Sequence, residues 1–234
     1  MTGTLLNAGA IIVGGGLGLL LGSRLSAKLK QTIVAGLGLF TLVYGITMFF
    51  KTQNSLIVLG SLVIGTILGE WMRIEEGLAV LGQKLEKTFN HADESEEKER
   101  FIKGFLTASL IFCVGPMAIL GSIENGLTGS FNTLAVKSIL DGFTAMAFAS
   151  TLGVGVLFSA VLVFLYQGGI TLLAGQVQNV TTTAMMNELT AVGGVILVGI
   201  AVSSLLEIKK IRTASFLPSL LMAPVIVFII SLFG

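Results

Sequence analysis

The chain is predicted to be an all-α protein, a polytopic transmembrane helix bundle of about eight spans with close, Gly-rich helix packing. Three observations carry this. Of its 234 residues, 53% are hydrophobic and only 12% charged, against roughly 25% charged in soluble domains. The mean hydropathy is +0.94. Apolar windows long enough to cross about 30 Å of hydrocarbon recur along the whole length, at 5–22, 32–50, 54–72, 101–122, 134–152, 154–175, 187–206 and 214–233.

The first window carries Ala10, Gly14, Gly18 and Gly22 at four-residue intervals. Small residues on one stripe let helix backbones approach closely, which supplies packing that hydrophobicity cannot provide inside lipid. The stripe either packs within the chain or forms a homodimer interface through Gly14, Gly18 and Gly22. Met1-Thr2-Gly3-Thr4 lacks the basic region that opens a secretory signal, so this first span is expected to be retained. The third window repeats the pattern with Ser61, Gly65 and Gly69 and ends on Glu70, Trp71 and Arg73, a composition suited to an interfacial anchor. Residues 73–100 are the one substantial polar segment of an otherwise single integral membrane domain, 1–234. Ile74, Leu78, Leu81, Leu85 and Phe89 recur at helical spacing, which predicts an amphipathic helix along the cytoplasmic interface. The lone His91 and a mixed charge run from Asp93 to Arg100 follow, and read as solvated connector.

Gly115-Pro116 breaks or kinks the fourth window, because proline removes a backbone hydrogen bond. A polar stretch from Gly121 to Thr133 follows. Residues 114–141 either cross fully or re-enter, and the second choice would leave seven spans plus a re-entrant segment. More than thirty uncharged residues after Asp141 exceed one helix, and Gly153 and Gly155 offer the turn. Tyr166 and Gln167, before Gly168-Gly169, place a polar patch and an opportunity for a kink in the sixth span, and with Thr171 they either line the same cavity or make a packing hydrogen bond. Glu188 is expected to cap the N-terminus of the seventh. The first and last pairs of spans share an outline, a Gly-rich helix, a short basic loop and a second apolar helix, which points weakly to a duplicated unit.

Basic residues give the orientation. Arg24, Lys28 and Lys30 lie in the first loop, Arg73, Lys84, Lys87, Lys98, Arg100 and Lys103 around the third, and Lys209, Lys210 and Arg212 in the last. With eight spans these twelve of the 14 basic residues share one side. That side is expected to be the cytoplasm, with both termini outside it.

Lys137 and Asp141 are the only formally charged residues between Glu124 and Glu188. A charge inside a membrane segment costs at least about 2.5 kcal/mol and so points to function. On a helix, Thr133, Lys137, Asp141 and Thr144 share one face. Lys137 lies near the expected outer boundary and can snorkel to it, whereas Asp141 lies about 6 Å deeper. A polar path would comprise Glu124, Asn125, Asn132, Lys137, Asp141 and Gln167, with Thr144 beside it and Pro116 marking the helix break. The competing reading is a structural ion pair that ties helices together.

Other chemistries are absent from the pattern. Cys113 is the only cysteine, so no intramolecular disulfide or cysteine metal cluster is expected. No nucleophile elbow, HExxH, CxxC or Walker loop occurs, so neither an enzyme nor a cofactor or metal is expected. No basic surface suits nucleic acid. The expected partners are the lipid bilayer and a small ion or solute.

Gly3-Thr4-Leu5-Leu6-Asn7, Leu68-Gly69-Glu70, Cys113-Val114-Gly115-Pro116-Met117-Ala118-Ile119-Leu120-Gly121-Ser122 and Lys137-Ser138-Ile139-Leu140-Asp141-Gly142 resemble the bacterial inner-membrane family known as domain of unknown function 554, the YdfK/YqgA-like proteins. The resemblance covers essentially the whole chain. It implies a multi-pass protein of the bacterial plasma membrane and supplies no activity. Two functions are therefore expected to compete: a small secondary transporter or ion channel with its path around Asp141, and a non-transporting scaffold or sensor acting through residues 73–100.

Overall fold

The computed structural model describes residues 1–89, 95–178 and 181–233. His91, Asp93 and Glu94, read above as solvated connector, lie outside the described residues. The elements run α1 (Thr2–Gly22), α2 (Ala27–Phe49), α3 (Ser55–Trp71), α4 (Ile74–Phe89), α5 (Ser95–Val114), α6 (Pro116–Thr128), α7 (Asn132–Leu152), α8 (Gly155–Leu172), α9 (Ala174–Gln178), α10 (Thr183–Ile200) and α11 (Leu217–Phe233). A π-helical turn, Ala201–Leu205, extends α10, and a 3₁₀ turn, Thr213–Phe216, opens α11. No strand occurs among the described residues.

Among the described residues five helices are long and apolar enough to cross a membrane: Thr2–Gly22, Ala27–Phe49, Gly155–Leu172, Thr183–Leu205 and Thr213–Leu232. Two bent pairs raise the number to seven, α3 with α4 at 54° and α5 with α6 at 62°. The eight expected spans are therefore seven at most by this measure: window 134–152 falls on α7, where Lys137 and Asp141 lower the apolarity.

The chain forms two compact units interleaved in sequence. Met1–Val34 with Ala79–Asn179 makes the first, and Ala35–Leu78 with Val180–Gly234 the second.

In the first unit α1 and α7 run parallel. Gly3 lies against Leu134, and Gly14, Gly18 and Gly22 face the carbonyl oxygens of Gly142, Met146 and Ser150. A Cβ at any of these three would strike backbone, so the α1 stripe is occupied within the chain and not left for a homodimer. α5 begins beside the end of α7, where Arg100 donates from Nε and Nη2 to the Thr151 carbonyl at 3.1 and 2.7 Å. α6 ends beside the start of α7, where the Gly3 N–H donates to Asn125 Oδ1 at 3.3 Å. α5 and α6 therefore traverse the whole length of α7 in the opposite direction, bent at Gly115. The 62° bend between them fits either form expected above, a full but broken crossing or a re-entrant segment.

Gly129, with φ 74°, turns the chain from α6 into α7, and Gly153, with φ 85°, turns it from α7 into α8. Both lie in the left-handed region that favours glycine. α8 then runs unbroken through Tyr166, Gln167 and Gly168-Gly169, without the expected kink. Gly168 lies against Met1 and Thr4 of α1, so close packing takes up its missing side chain without breaking the helix.

In the second unit α3 and α11 run antiparallel, Gly65 lying on Ser219 and Gly69 on the Ser215 carbonyl. Gly45 of α2 meets the Gly194 carbonyl of α10 in the same manner. Glu188 does not cap its own helix as expected. Thr182 does, accepting from the Met185 N–H at 3.2 Å. Glu188 is buried in the second turn, where it accepts from Thr52 Oγ1 at 2.5 Å and from the N–H groups of Gln53 and Asn54 at 2.8 and 3.2 Å. At the other end Arg212 bridges Glu70 and Glu76, while the Ala214 N–H donates to Glu75 at 2.8 Å. Glu70 thus ties α3 to the segment that leads into α11.

The glycine seam makes a quantitative prediction. Gly14→Ala and Gly18→Ala should each lower stability by about 1–3 kcal/mol through overpacking. Gly16→Ala, where nothing lies within 4 Å of the new methyl, should be neutral or gain up to about 1 kcal/mol from helix propensity. Thermal unfolding of the three variants in one detergent checks the ordering; equal midpoints would contradict the seam.

Candidate functional site

In the first unit, polar side chains from α1, α7 and α8 meet at one level beside the break between α5 and α6. α7 spans 21 residues, so Asp141 lies about 13 Å along it at about 1.5 Å per residue, near the middle. Lys137 and Asp141 are 5% and 7% exposed. The Lys137 ammonium does not snorkel outward as expected but turns down one helical turn to Asp141 Oδ2. An ammonium gains more from a carboxylate partner in apolar surroundings than from stretching toward a distant interface. Asn7 Nδ2 donates to the same oxygen at 2.9 Å. The Lys137 ammonium also stands 6.0 Å from the centroid of the Phe112 ring, a cation–π distance.

Packing register brings α5 and α8 to the same level. Thr4 and Thr171 touch across α1 and α8, hydroxyl to hydroxyl, at 3.4 Å. Further along, Gly15 lies against Leu157, so the two helices run antiparallel. One turn inward from Thr4 is Asn7; one turn back from Thr171 is Gln167. α5 and α8 run parallel, with the Phe101 and Phe158 rings 5.3 Å apart and Phe101 beside Gly155. Eleven residues later the same register sets Phe112 and Cys113 beside Tyr166 and Gln167.

Several polar groups at this level are unpaired. Gln167 is fully buried, and neither its Oε1 nor its Nε2 has a partner among the described residues. Asn7 Oδ1 is likewise buried and unpartnered. Pro116 has no N–H, so the Phe112 carbonyl loses the donor four residues on that a continuous helix would supply. The first turn of α6 has no side-chain cap. Each buried unpaired polar group costs about 1–3 kcal/mol, and a fully apolar seam would avoid that. The arrangement offers donors and acceptors around a neutralised carboxylate, which suits a proton, an ion or a small polar guest.

The remaining expected residues separate from this level. Glu124 accepts from Ser130 Oγ at 2.7 Å and Thr133 Oγ1 at 2.6 Å, which fastens the turn into α7. Asn125 Nδ2 donates to the Gly129 and Ser130 carbonyls at 3.3 and 3.1 Å. Asn132 is exposed, and Thr144 donates back to the Leu140 carbonyl at 2.8 Å. Of the seven proposed path residues, Lys137 and Asp141 come together, Gln167 lies at their level by helix register without a bond to either, and Glu124 and Asn125 build the end of the unit. Asn7 is the participant that the path omitted. Its one sequence signal was an amide inside an apolar window. A cleft of about 270 Å³ opens at the far end of α7, beside Ser150 and Gly153, and does not reach Asp141. Among the described residues no three His, Cys, Asp or Glu side chains gather as a metal site would need.

Residues 2–228 match a family described as "Protein of unknown function (DUF554)". The chain is 32% identical to the "Uncharacterized membrane protein YdfK" of Bacillus subtilis (strain 168) over 238 residues, covering 100% of this chain and 99% of that one. It is 31% identical to the "Uncharacterized protein YqgA" of Escherichia coli (strain K12) over 221 residues, 94% of each. No solved structure matches it.

The buried pair predicts a non-additive pattern. Lys137→Met alone should cost about 3–5 kcal/mol by stranding a carboxylate, whereas Lys137→Met with Asp141→Leu should return most of that loss. A double-mutant cycle on unfolding in detergent measures it. Additive effects would mean that the two side chains do not depend on each other.

Proposed function

Since this chain belongs to the DUF554 family of membrane proteins, we propose that it is a small secondary transporter or ion channel of the bacterial plasma membrane, with Asp141 as the group that binds or relays the ion or proton. It would not be an enzyme. The basic loops would face the cytoplasm and both termini the opposite side, as the excess of Lys and Arg there favours.

The observation that carries this reading is a charge pair near mid-helix beside a broken helix, with a fully buried Gln167 amide left unpaired. Broken helices at membrane depth are tolerated where protein or water satisfies the freed backbone, and many transporter sites lie at such breaks. In this structure Lys137 acts as an internal cation on Asp141. Arrival of a proton or cation at the carboxylate weakens that bond and frees Lys137, so occupancy of Asp141 is coupled to a change in the polar cluster.

The second reading, a scaffold or sensor acting through residues 73–100, draws support from α4. Its polar residues alternate with apolar ones at helical spacing, and its first turn is held by Arg212 and Ala214.

Proteoliposome flux separates the two. Vesicles holding the full chain should pass protons or alkali cations faster than empty ones under a potassium diffusion potential, and Asp141→Asn should lower that rate at least about tenfold with folding intact. Wild-type vesicles no leakier than empty ones would favour the scaffold. Unchanged flux in Asp141→Asn would remove Asp141 from the path.

A further inference from the structure

The cleft at the far end of α7 has a chemistry of its own. Its volume is about 270 Å³, and every lining residue belongs to the first unit. Lys30 from α2, Arg100 from α5 and Glu97 line it with Leu19, Phe101 and Ser23, whose hydroxyl donates to the Leu20 carbonyl at 2.7 Å. Among the described residues the Lys30 ammonium has no ion pair or hydrogen bond to protein. Arg100 spends Nε and Nη2 on the Thr151 carbonyl, which fixes its guanidinium in place and leaves Nη1 pointing free of that bond. Two cations against one carboxylate leave a net charge of +1, the complement of a single phosphodiester.

We propose that this cleft binds the phosphodiester headgroup of an anionic glycerophospholipid, with Lys30 and Arg100 holding the phosphate. Three features favour a lipid over free phosphate. The cleft lies where α1 ends at Gly22, at the level where apolar helix gives way to basic loop and where headgroups stand. Its lining mixes charge with apolar wall, as a headgroup joined to its glycerol requires. Glu97 would repel a second negative charge, so inorganic phosphate, largely a dianion at neutral pH, fits worse than a monoanionic diester, and its carboxylate accepts hydrogen bonds from a polyol headgroup. Basic pockets between helices on the cytoplasmic side are a recurrent way of holding anionic lipid.

Native mass spectrometry of the detergent-solubilised full chain tests this, with phosphatidylglycerol and phosphatidylcholine offered together in equal amount. The wild type should retain phosphatidylglycerol over phosphatidylcholine, and Lys30→Ala should cut that retention about fivefold, the expected effect of one basic residue near the headgroups. Lys30→Arg should restore it, and Lys51→Ala, which removes a charge outside this unit, should leave it unchanged. Arg100→Gln should also lower retention; Lys30→Ala is the decisive variant because the Lys30 side chain bonds no other described residue. Equal retention of the two lipids, or retention unaffected by Lys30→Ala, would overturn the site. Displacement of the lipid by millimolar inorganic phosphate would overturn the lipid as its occupant.

Discussion

A carboxylate near the middle of an apolar helix must be neutralised where it stands, and the first unit is arranged around that need. Asp141 receives Lys137 from its own helix and Asn7 from α1. The second bond demands that α1 come close to α7, because an asparagine side chain is short. Glycine makes that approach possible. Gly14, Gly18 and Gly22 bring the two backbones into contact just beyond Asn7, so the polar bond and the glycine seam depend on the same helix pair.

On the proposed function this charge pair differs from an ordinary structural bridge. A bridge whose only task was to tie α1 to α7 would be sealed by neighbours with every polar group paired. Here Asn7 Oδ1 and both amide atoms of Gln167 lack partners, and the adjacent helix is broken at Gly115-Pro116. Those unpaired groups stand where helices of opposite direction meet, α1 and α7 running one way and α5–α6 and α8 the other. The second unit uses its buried acid differently. Glu188 is satisfied three times over by the turn before α3, so it holds structure and leaves no open bond.

Much of this was legible in the sequence because it is local. The four-residue glycine period in α1, the proline that ends α5, the turn at Gly153 and the Lys137–Asp141 spacing are each written within a few residues. What could not be read was which helices meet. Asn7 and Asp141 are 134 residues apart, and nothing in either neighbourhood names the other. The same limit hid the true contact of Glu188, whose position near a helix start suggested a cap, and the interleaving of two units from four stretches of chain. Gln167 was visible as a polar residue in an apolar helix, but whether it was paired depended on α1. Lys137 misled because its distance from the helix end allowed snorkelling; the stronger claim of a carboxylate one turn deeper appears only once both are buried.

The central claim is that the level of Asp141 and Gln167 becomes open to water during function. Substituted-cysteine labelling asks this directly, with Gln167→Cys in a Cys113→Ala background, in sealed vesicles, using a small charged thiol reagent added to one side at a time. The account predicts reaction from each side, at rates that shift with pH or cation concentration as Asp141 is occupied. Absence of labelling from both sides until the protein is unfolded would show a permanently dry pair, and would contradict it.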